Sequence, residues 1–399
     1  MLQLSTRAQK LEASATLAMA AKAKELKSKG VDVISFSTGE PDFDTPENIK
    51  KACIASLQRG FTKYTPTPGI PELRAAICEK LKRDNNIIYD PSQIVVSCGA
   101  KQALYNVFMA LLNPGDEVIV PAPYWVSYPE QIKLCDGVPV IVETQKENNF
   151  SLQAGEFERA ITAKTKMLVL CSPSNPTGAA YTKEDLSAIM DVAIKHNVAV
   201  LSDEIYEHLL YDNFTFVSPA SLSTAAQEIT IVINGVSKAY AMTGWRMGYA
   251  AGPKHLIDKV SSLQSQQSSN ITSFVQEACV EALNGPQDEV EKMRKTFSKR
   301  RDLILSLLRD IPEIECATPQ GAFYVFPCIG AYLGKKTESG ASIHTSDELA
   351  EYLLEEAHIA TVSGDAFGAQ NYLRLSYACA EEKIVEGVRR LKTALLHLK

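Results

Sequence analysis

The chain has 399 residues, 45% of them hydrophobic and 22% charged, with a formal net charge of −6. This suits a large core arranged as two or three domains, or one large domain with a satellite. The acidic balance gives no electrostatic support to a nucleic-acid role, and no apolar stretch approaches the roughly 20 residues that span a bilayer.

Nine cysteines are scattered without a Cys-x-x-Cys pair. They read as reduced, mostly buried thiols. Near the N-terminus, Arg7 and Lys10 precede a small-residue run at 13–21, which superficially resembles a signal peptide. Glu12 lies between them and the run. Ser14 reads as an N-cap, and the pattern continues through Lys22, Lys24 and Glu25 to Gly30 as one amphipathic helix. A cytoplasmic protein is therefore expected.

Residues 33–36 form a predicted strand that runs into Ser37-Thr38-Gly39-Glu40-Pro41-Asp42. Gly39 permits close backbone approach to a ligand and Pro41 excludes a helix, although a plain turn reads the same way. Thr45-Pro46 is expected to start a helix as cap and first residue, with Gly60 ending it. Residues 64–69 form a rigid loop, and Pro71 opens a helix to about Arg83.

A strand at 94–97 leads through Gly99-Ala100-Lys101 into a helix reaching Leu112. Free backbone N–H groups and the positive helix end make this a natural phosphate seat. Ordinary strand–helix packing gives the same pattern. A strand at 118–120 exits near Tyr124-Trp125, where an aromatic is more often core than cofactor stack. Strands follow at 138–142 and 167–171, the second exiting into Ser172-Pro173-Ser174-Asn175-Pro176-Thr177-Gly178. Thr182 caps a helix to about His196. The strand at 198–201 ends in Ser202-Asp203-Glu204-Ile205-Tyr206. The strand at 229–233 feeds Ser237-Lys238, and 249–251 returns as a strand.

This alternation predicts an α/β fold, a mostly parallel sheet covered by helices on both faces. From Pro253 the pattern is helical to about Asn284, and a long charged helix spans 287–309. The remainder reads as a smaller α+β unit. Its strands lie at 322–326, 359–362 and 372–377, and its helices at 346–356 and 381–396. Residues 330–345 read as an exposed, mobile loop.

Ser237 and Lys238 sit just past a strand end, where ligands bind in open α/β sheets. A lone lysine there is usually a solvated charge. Eight residues on, Gly244-Trp245-Arg246 adds a second cation beside small residues. Lys238 can supply the amine for a Schiff base, and Ser237 and Arg246 can hold a phosphate. Pyridoxal 5'-phosphate needs both at once.

The string Ser237-Lys238-x-x-x-Met242-x-Gly244-Trp245-Arg246-x-Gly248-Tyr249 resembles the lysine motif of the class I aminotransferases. The similarity covers essentially the whole chain. It continues, in the family's order, through Gly39-Glu40-Pro41-Asp42-Phe43, Tyr64, Gly99 to Lys101, Tyr124-Trp125, Asn175 to Gly178, Asp203-Glu204-x-Tyr206 and Arg374.

The resemblance implies a pyridoxal-phosphate transferase of fold type I. A large domain at 46–289 would carry the cofactor, and 1–45 with 290–399 would form a small discontinuous domain. Lys238 would bind the cofactor and move the proton. Asp203 would pair with the pyridine nitrogen, and Tyr206 and Asn175 with its phenolic oxygen. Trp125 would stack on the ring. Gly99, Ala100, Lys101, Ser237 and Arg246 would line the phosphate, joined by Tyr64 of a second subunit in a homodimer. Arg374, with the Gly39 backbone, would grip the substrate α-carboxylate, with Trp125 and Asn175 also facing the substrate.

Amino and keto acids are the implied partners, with no nucleic acid, membrane or metal. The segment Gly-x-Lys-Gln-Ala-Leu at 99–104 resembles the bacterial-type aspartate and aspartate/prephenate branch. Transfer from L-aspartate to 2-oxoglutarate leads. Prephenate, aromatic or other amino-acid transamination stays open, with a β-lyase or a non-enzymatic regulator behind it. Those regulators add a DNA-binding domain, whereas this fold is expected to begin near residue 14.

One departure concerns the distal carboxylate. In the best-known aspartate enzymes an arginine from the neighbouring subunit binds it, but 264–274 contains no Arg or Lys. The resembled branch uses a lysine at the position of Lys101. It often has a polar or basic residue near position 12, where this chain has Glu12.

Overall fold

The computed structural model describes residues 2–9, 11 and 14–399. Helix Ala15–Ser28 leads to the short strand β1 (Ile34–Ser35), then helices Glu47–Gln58 and Pro71–Asn85. The chain next builds β2 (Ile94–Ser97), β3 (Glu117–Ala122), β4 (Val138–Glu143), β5 (Thr165–Cys171), β6 (Ala199–Asp203), β7 (Thr230–Gly235) and β8 (Gly248–Ala251). They form one sheet in the order β2-β8-β7-β6-β5-β3-β4. Only β8 runs against its neighbours, β2 and β7. The others pair in parallel, so the sheet is mostly parallel, as expected.

Strand alternation supplies both faces with core. Val169, Leu201 and Ile233 pack on one side with Leu104 and Val260. Leu168, Leu170 and Val200 pack on the other with Leu186 and Ile189. A strand buried on both faces carries a continuous apolar run, which is why these strands were readable in advance.

After helices Lys254–Gln267, Ser273–Asn284 and Asp288–Arg309 come β9 (Tyr324–Val325), β10 (Ile359–Ala360), β11 (Val362–Ser363) and β12 (Leu373–Ser376). β10 pairs in parallel with β1, and β11, β12 and β9 form an antiparallel sheet. The N-terminal segment and the C-terminal third therefore share one assembly. Arg300 of the long helix clasps Asp42 through two hydrogen bonds, at 2.6 and 3.0 Å, and lies against the rings of Phe43 and Phe297. This clasp holds the Gly39–Phe43 turn.

Several expectations change. Thr45 is not the helix cap, because the helix begins at Glu47 with Pro46 before it. Its hydroxyl instead donates to Ala241 O at 2.7 Å and accepts from the Trp245 indole at 3.0 Å, joining the turn to the loop after Lys238. Ser14 precedes its helix without a side-chain cap bond. The helical stretch after 253 breaks at 268–272. The strand at 359–362 splits in two, because its halves pair with different partners. The 330–345 segment is pinned rather than wholly exposed. Tyr332 and Ile343 are buried, and Lys336 bridges to Ser342. Thr182 caps Lys183–His196 as expected, in a full capping box with Asp185.

The C-terminal helix Glu381–His397 packs Gly387 directly on Phe36, and a Cβ there would overlap the ring. Gly387→Ala should destabilise the protein by about 1–3 kcal/mol, the usual cost of overpacking. A lower urea midpoint would report it. An unchanged midpoint would mean that Phe36 moves aside freely.

Candidate active site

The carboxyl ends of the parallel strands open on one edge of the sheet. Asn175 follows β5, Asp203 ends β6, and Ser237 and Lys238 follow β7. Arg246 lies two residues before the reversed strand β8. A cavity of about 330 Å3 lies there. It is lined by Gly39, Ala100, Lys101, Trp125, Asn175, Asp203, Tyr206, Ser237, Lys238, Arg246 and Arg374. A larger groove, about 880 Å3, lies between the 337–358 region and the C-terminal helix and gathers none of them.

Lys238 Nζ donates to Gly39 O at 2.6 Å and lies 5.9 Å from the Tyr206 ring centre. Burial, aided by Arg374 and Arg246 against the pull of Glu40, brings its ammonium down to about 8. Roughly one molecule in ten then carries the neutral amine at pH 7, against a few in ten thousand for an ordinary lysine.

Asp203 is buried. Its Oδ2 accepts from the Tyr128 hydroxyl at 2.7 Å and its Oδ1 from Ile205 N at 3.3 Å. Burial still wins over these donors and raises its carboxyl to about 6. Tyr206 and Tyr324 share a hydroxyl hydrogen bond of 2.8 Å.

Arg374 is 1% exposed. It donates to Asn175 Oδ1 at 3.0 Å and Ser37 O at 2.6 Å, and its guanidinium lies 4.6 Å from the Tyr324 ring centre. None of these partners is anionic, and its Nε has no partner among the described residues.

The wall formed by Arg246 and the start of helix Ala100–Leu111 takes its shape from two glycines. Gly99 has φ 77°, and a Cβ there would overlap the Arg246 guanidinium. A Cβ on Gly248 would overlap the Ala100 backbone. Behind them, Ala100 and Lys101 begin helix Ala100–Leu111, where no earlier helical carbonyl takes their N–H groups. Arg246 donates to Thr243 O at 2.9 Å and makes no ion pair among the described residues. Lys101 Nζ lies 4.8 Å from the Trp125 ring centre, and burial with Arg246 nearby lowers its pKa.

Of the expected residues, Gly99 stands behind this lining rather than in it. Tyr64 is 92% exposed and does not join its own chain's cavity. Glu12 lies outside the described residues. Sequence reasoning missed Tyr128 and Tyr324, which hold Asp203 and Tyr206. It also missed Ser14, Thr16 and Leu17, which the first helix brings to the cavity. Tyr128, three residues after Trp125, offered a faint spacing signal, whereas Tyr324 offered none.

An amine, a buried carboxyl, an unpaired guanidinium and a helix start at strand ends are groups that a fold type I pyridoxal-phosphate enzyme needs. The family model "Aminotransferase class I and II" matches residues 31–391. A probable aspartate/prephenate aminotransferase of Rhizobium leguminosarum bv. phaseoli is 52% identical over 384 residues, 96% of each chain. The solved aspartate aminotransferase of Rhizobium meliloti matches with a TM-score of 0.97 at 45% identity over all of both chains. That of Thermus thermophilus, solved with maleate, matches at 0.93 and 44% over 99% of this chain and all of the other. The chain belongs to the class I and II aminotransferases, and it is a pyridoxal-phosphate-dependent enzyme.

The lining fits that cofactor. Asp203 could meet a pyridinium, Tyr206 and Asn175 a phenolic oxygen, and Arg246, Ser237 and the helix start a phosphate. The ionisation of Asp203 gives a test. Its folded pKa of about 6 exceeds the ordinary 3.8. Its contribution to stability is therefore full below pH 4 and lost as pH rises through about 6. In cofactor-free protein, Asp203→Asn should raise Tm at pH 8 relative to wild type, by an amount equivalent to at most about 3 kcal/mol. It should bring little gain at pH 4. Equal effects at both pH values would show that ionisation is not the cause.

Proposed function

We propose that this aminotransferase moves the amino group of L-aspartate to 2-oxoglutarate. The carrying observation is that Arg374, Lys101 and Arg246 line one cavity with no ion pair among the described residues. Three cations suit three anions: the substrate α-carboxylate, its distal carboxylate and the cofactor phosphate. The relatives named for aspartate, and the Thermus structure with maleate, a dicarboxylate, support the same reading. The relatives' name also favours prephenate, a dicarboxylic keto acid, as a second substrate.

Pyridoxal phosphate supplies an electron sink for the bond broken at the substrate Cα. This chain's residues do the rest. Arg374 orients the α-carboxylate by a two-pronged bond, and the Gly39 backbone closes over it. Lys238 takes the Cα proton and returns it. Its lowered pKa provides neutral amine, and the Gly39 carbonyl aims it. Asp203, braced by Tyr128, would stay ionised to pair with the pyridine nitrogen. Tyr206 and Asn175 would hold the phenolic oxygen, and Trp125 would cover the ring.

The same reading places the cofactor on a large domain, 46–289, with 1–45 and 290–399 as the small one. It makes the active unit a cytoplasmic homodimer in which Tyr64 reaches the partner's phosphate. Its full exposure supports that role, as does the concave surface of about 790 Å3 by Trp245, Arg246 and Asn270. Sedimentation of active enzyme should give a dimer, and a fully active monomer would sink this part.

Borohydride reduction and peptide mapping should put the cofactor adduct on Lys238, and an adduct on another lysine would overturn the site. Lys101→Ala should cut kcat/KM for aspartate and glutamate by roughly 10–150-fold, the worth of a hydrogen bond to a charged group, while sparing phenylalanine. Equal losses for every donor, with weaker cofactor binding, would assign Lys101 to the phosphate and remove the case for a dicarboxylate.

A further inference from the structure

Glu207 follows Tyr206 but does not line the cavity. It is buried, and so is Lys80, on helix Pro71–Asn85. The two form an ion pair. Glu207 Oε1 also accepts from Asn234 Nδ2 at 2.6 Å, and Oε2 from Asn85 Nδ2 at 2.5 Å. Lys80 Nζ in turn donates to Asn85 Oδ1 at 2.6 Å. Asn234 lies near the end of β7 and holds the next backbone N–H, that of Gly235, at 2.7 Å. One carboxylate thus ties together a helix, the loop after β6 and the end of β7. Burial alone would raise its pKa, but Lys80, His208 and the Asn85 amide bring it below the ordinary value, so it is ionised.

Stability does not account for this arrangement. Burying two charges is costly, and well-packed apolar side chains often serve as well or better. Apolar side chains cannot, however, hold three donors in fixed directions. The tied segments carry Asp203 and Tyr206 on one side and Ser237 and Lys238 on the other. We propose that Glu207 is a positioning residue, a buried clamp that keeps these two pairs in register with each other. The proposal rests on the reading that these four residues hold the cofactor.

Two variants of the full-length chain separate clamping from mere stability. Glu207→Gln leaves the buried Lys80 charge with only Asp84, 4.0 Å away, as counter-ion, so Tm of the cofactor-free protein should fall. Its affinity for pyridoxal phosphate, read by fluorescence titration, should weaken by roughly 10–150-fold. Adding Lys80→Met removes the stranded charge and should restore Tm. Cofactor affinity and kcat should stay at least about 10-fold down, with KM for the amino donor little changed. Affinity returning together with Tm would overturn the clamp.

Should Glu207→Gln fail to fold, Asn234→Ala cuts the link to β7 without stranding a charge. It should weaken cofactor binding about 10-fold, and wild-type affinity would overturn the proposal. Borohydride mapping of the wild type keeps the two failures apart. An adduct away from Lys238 sinks the underlying reading. An adduct on Lys238 with unaltered variant affinities sinks the clamp alone.

Discussion

Arg374 is held by a carbonyl oxygen, an amide oxygen and two aromatic faces, and none of them neutralises it. A charge taken out of water without a counter-ion is costly, and the fold supports it only by fixing its hydrogen bonds. Much of the small assembly serves that end. β12 carries Arg374, β11 and β9 flank it, and the segment after β1 supplies Ser37 O. The guanidinium is then already oriented, so a carboxylate that arrives gains its full attraction without reorganising the site.

Asp203 is the opposite case on the other wall. It is an acid pushed toward neutrality by burial and partly rescued by Tyr128. Lys238, between them, is pushed toward its neutral form by the same burial. The cavity thus holds a fixed cation, an acid whose charge burial disfavours and an ammonium whose proton burial loosens. A cofactor with a cationic ring and an anionic phosphate, together with an amino-acid substrate, satisfies all of these groups at once. Water would satisfy them only loosely.

The approach of two glycines decides whether this geometry can exist. Gly99 turns into helix Ala100–Leu111 with positive φ, and Gly248 lies flat against its first turn. Any side chain at either position would push Arg246 or the helix start out of place. The Arg300–Asp42 clasp does similar work from the other assembly, holding the turn whose carbonyl aims Lys238.

The sequence by itself determined the elements whose signal is local. The buried strands of the large sheet are apolar runs. The Thr182 box and Pro71 mark helix starts, and Ser237-Lys238 with Arg246 lies within ten residues on one loop. Eleven of the thirteen residues expected from the family resemblance line the cavity, and those at strand ends, such as Asp203, Ser237 and Lys238, also carried a local signal. Only the tertiary structure decided what depends on meetings across the chain. Tyr128 reaching Asp203, Tyr324 reaching Tyr206, Thr45 bonding Trp245 instead of capping its helix, and Glu207 gathering Lys80 and Asn234 all join residues far apart in sequence. A hydrogen bond between distant segments leaves no periodicity in either of them. Its existence depends on how the assemblies pack, and packing is a property of the whole fold.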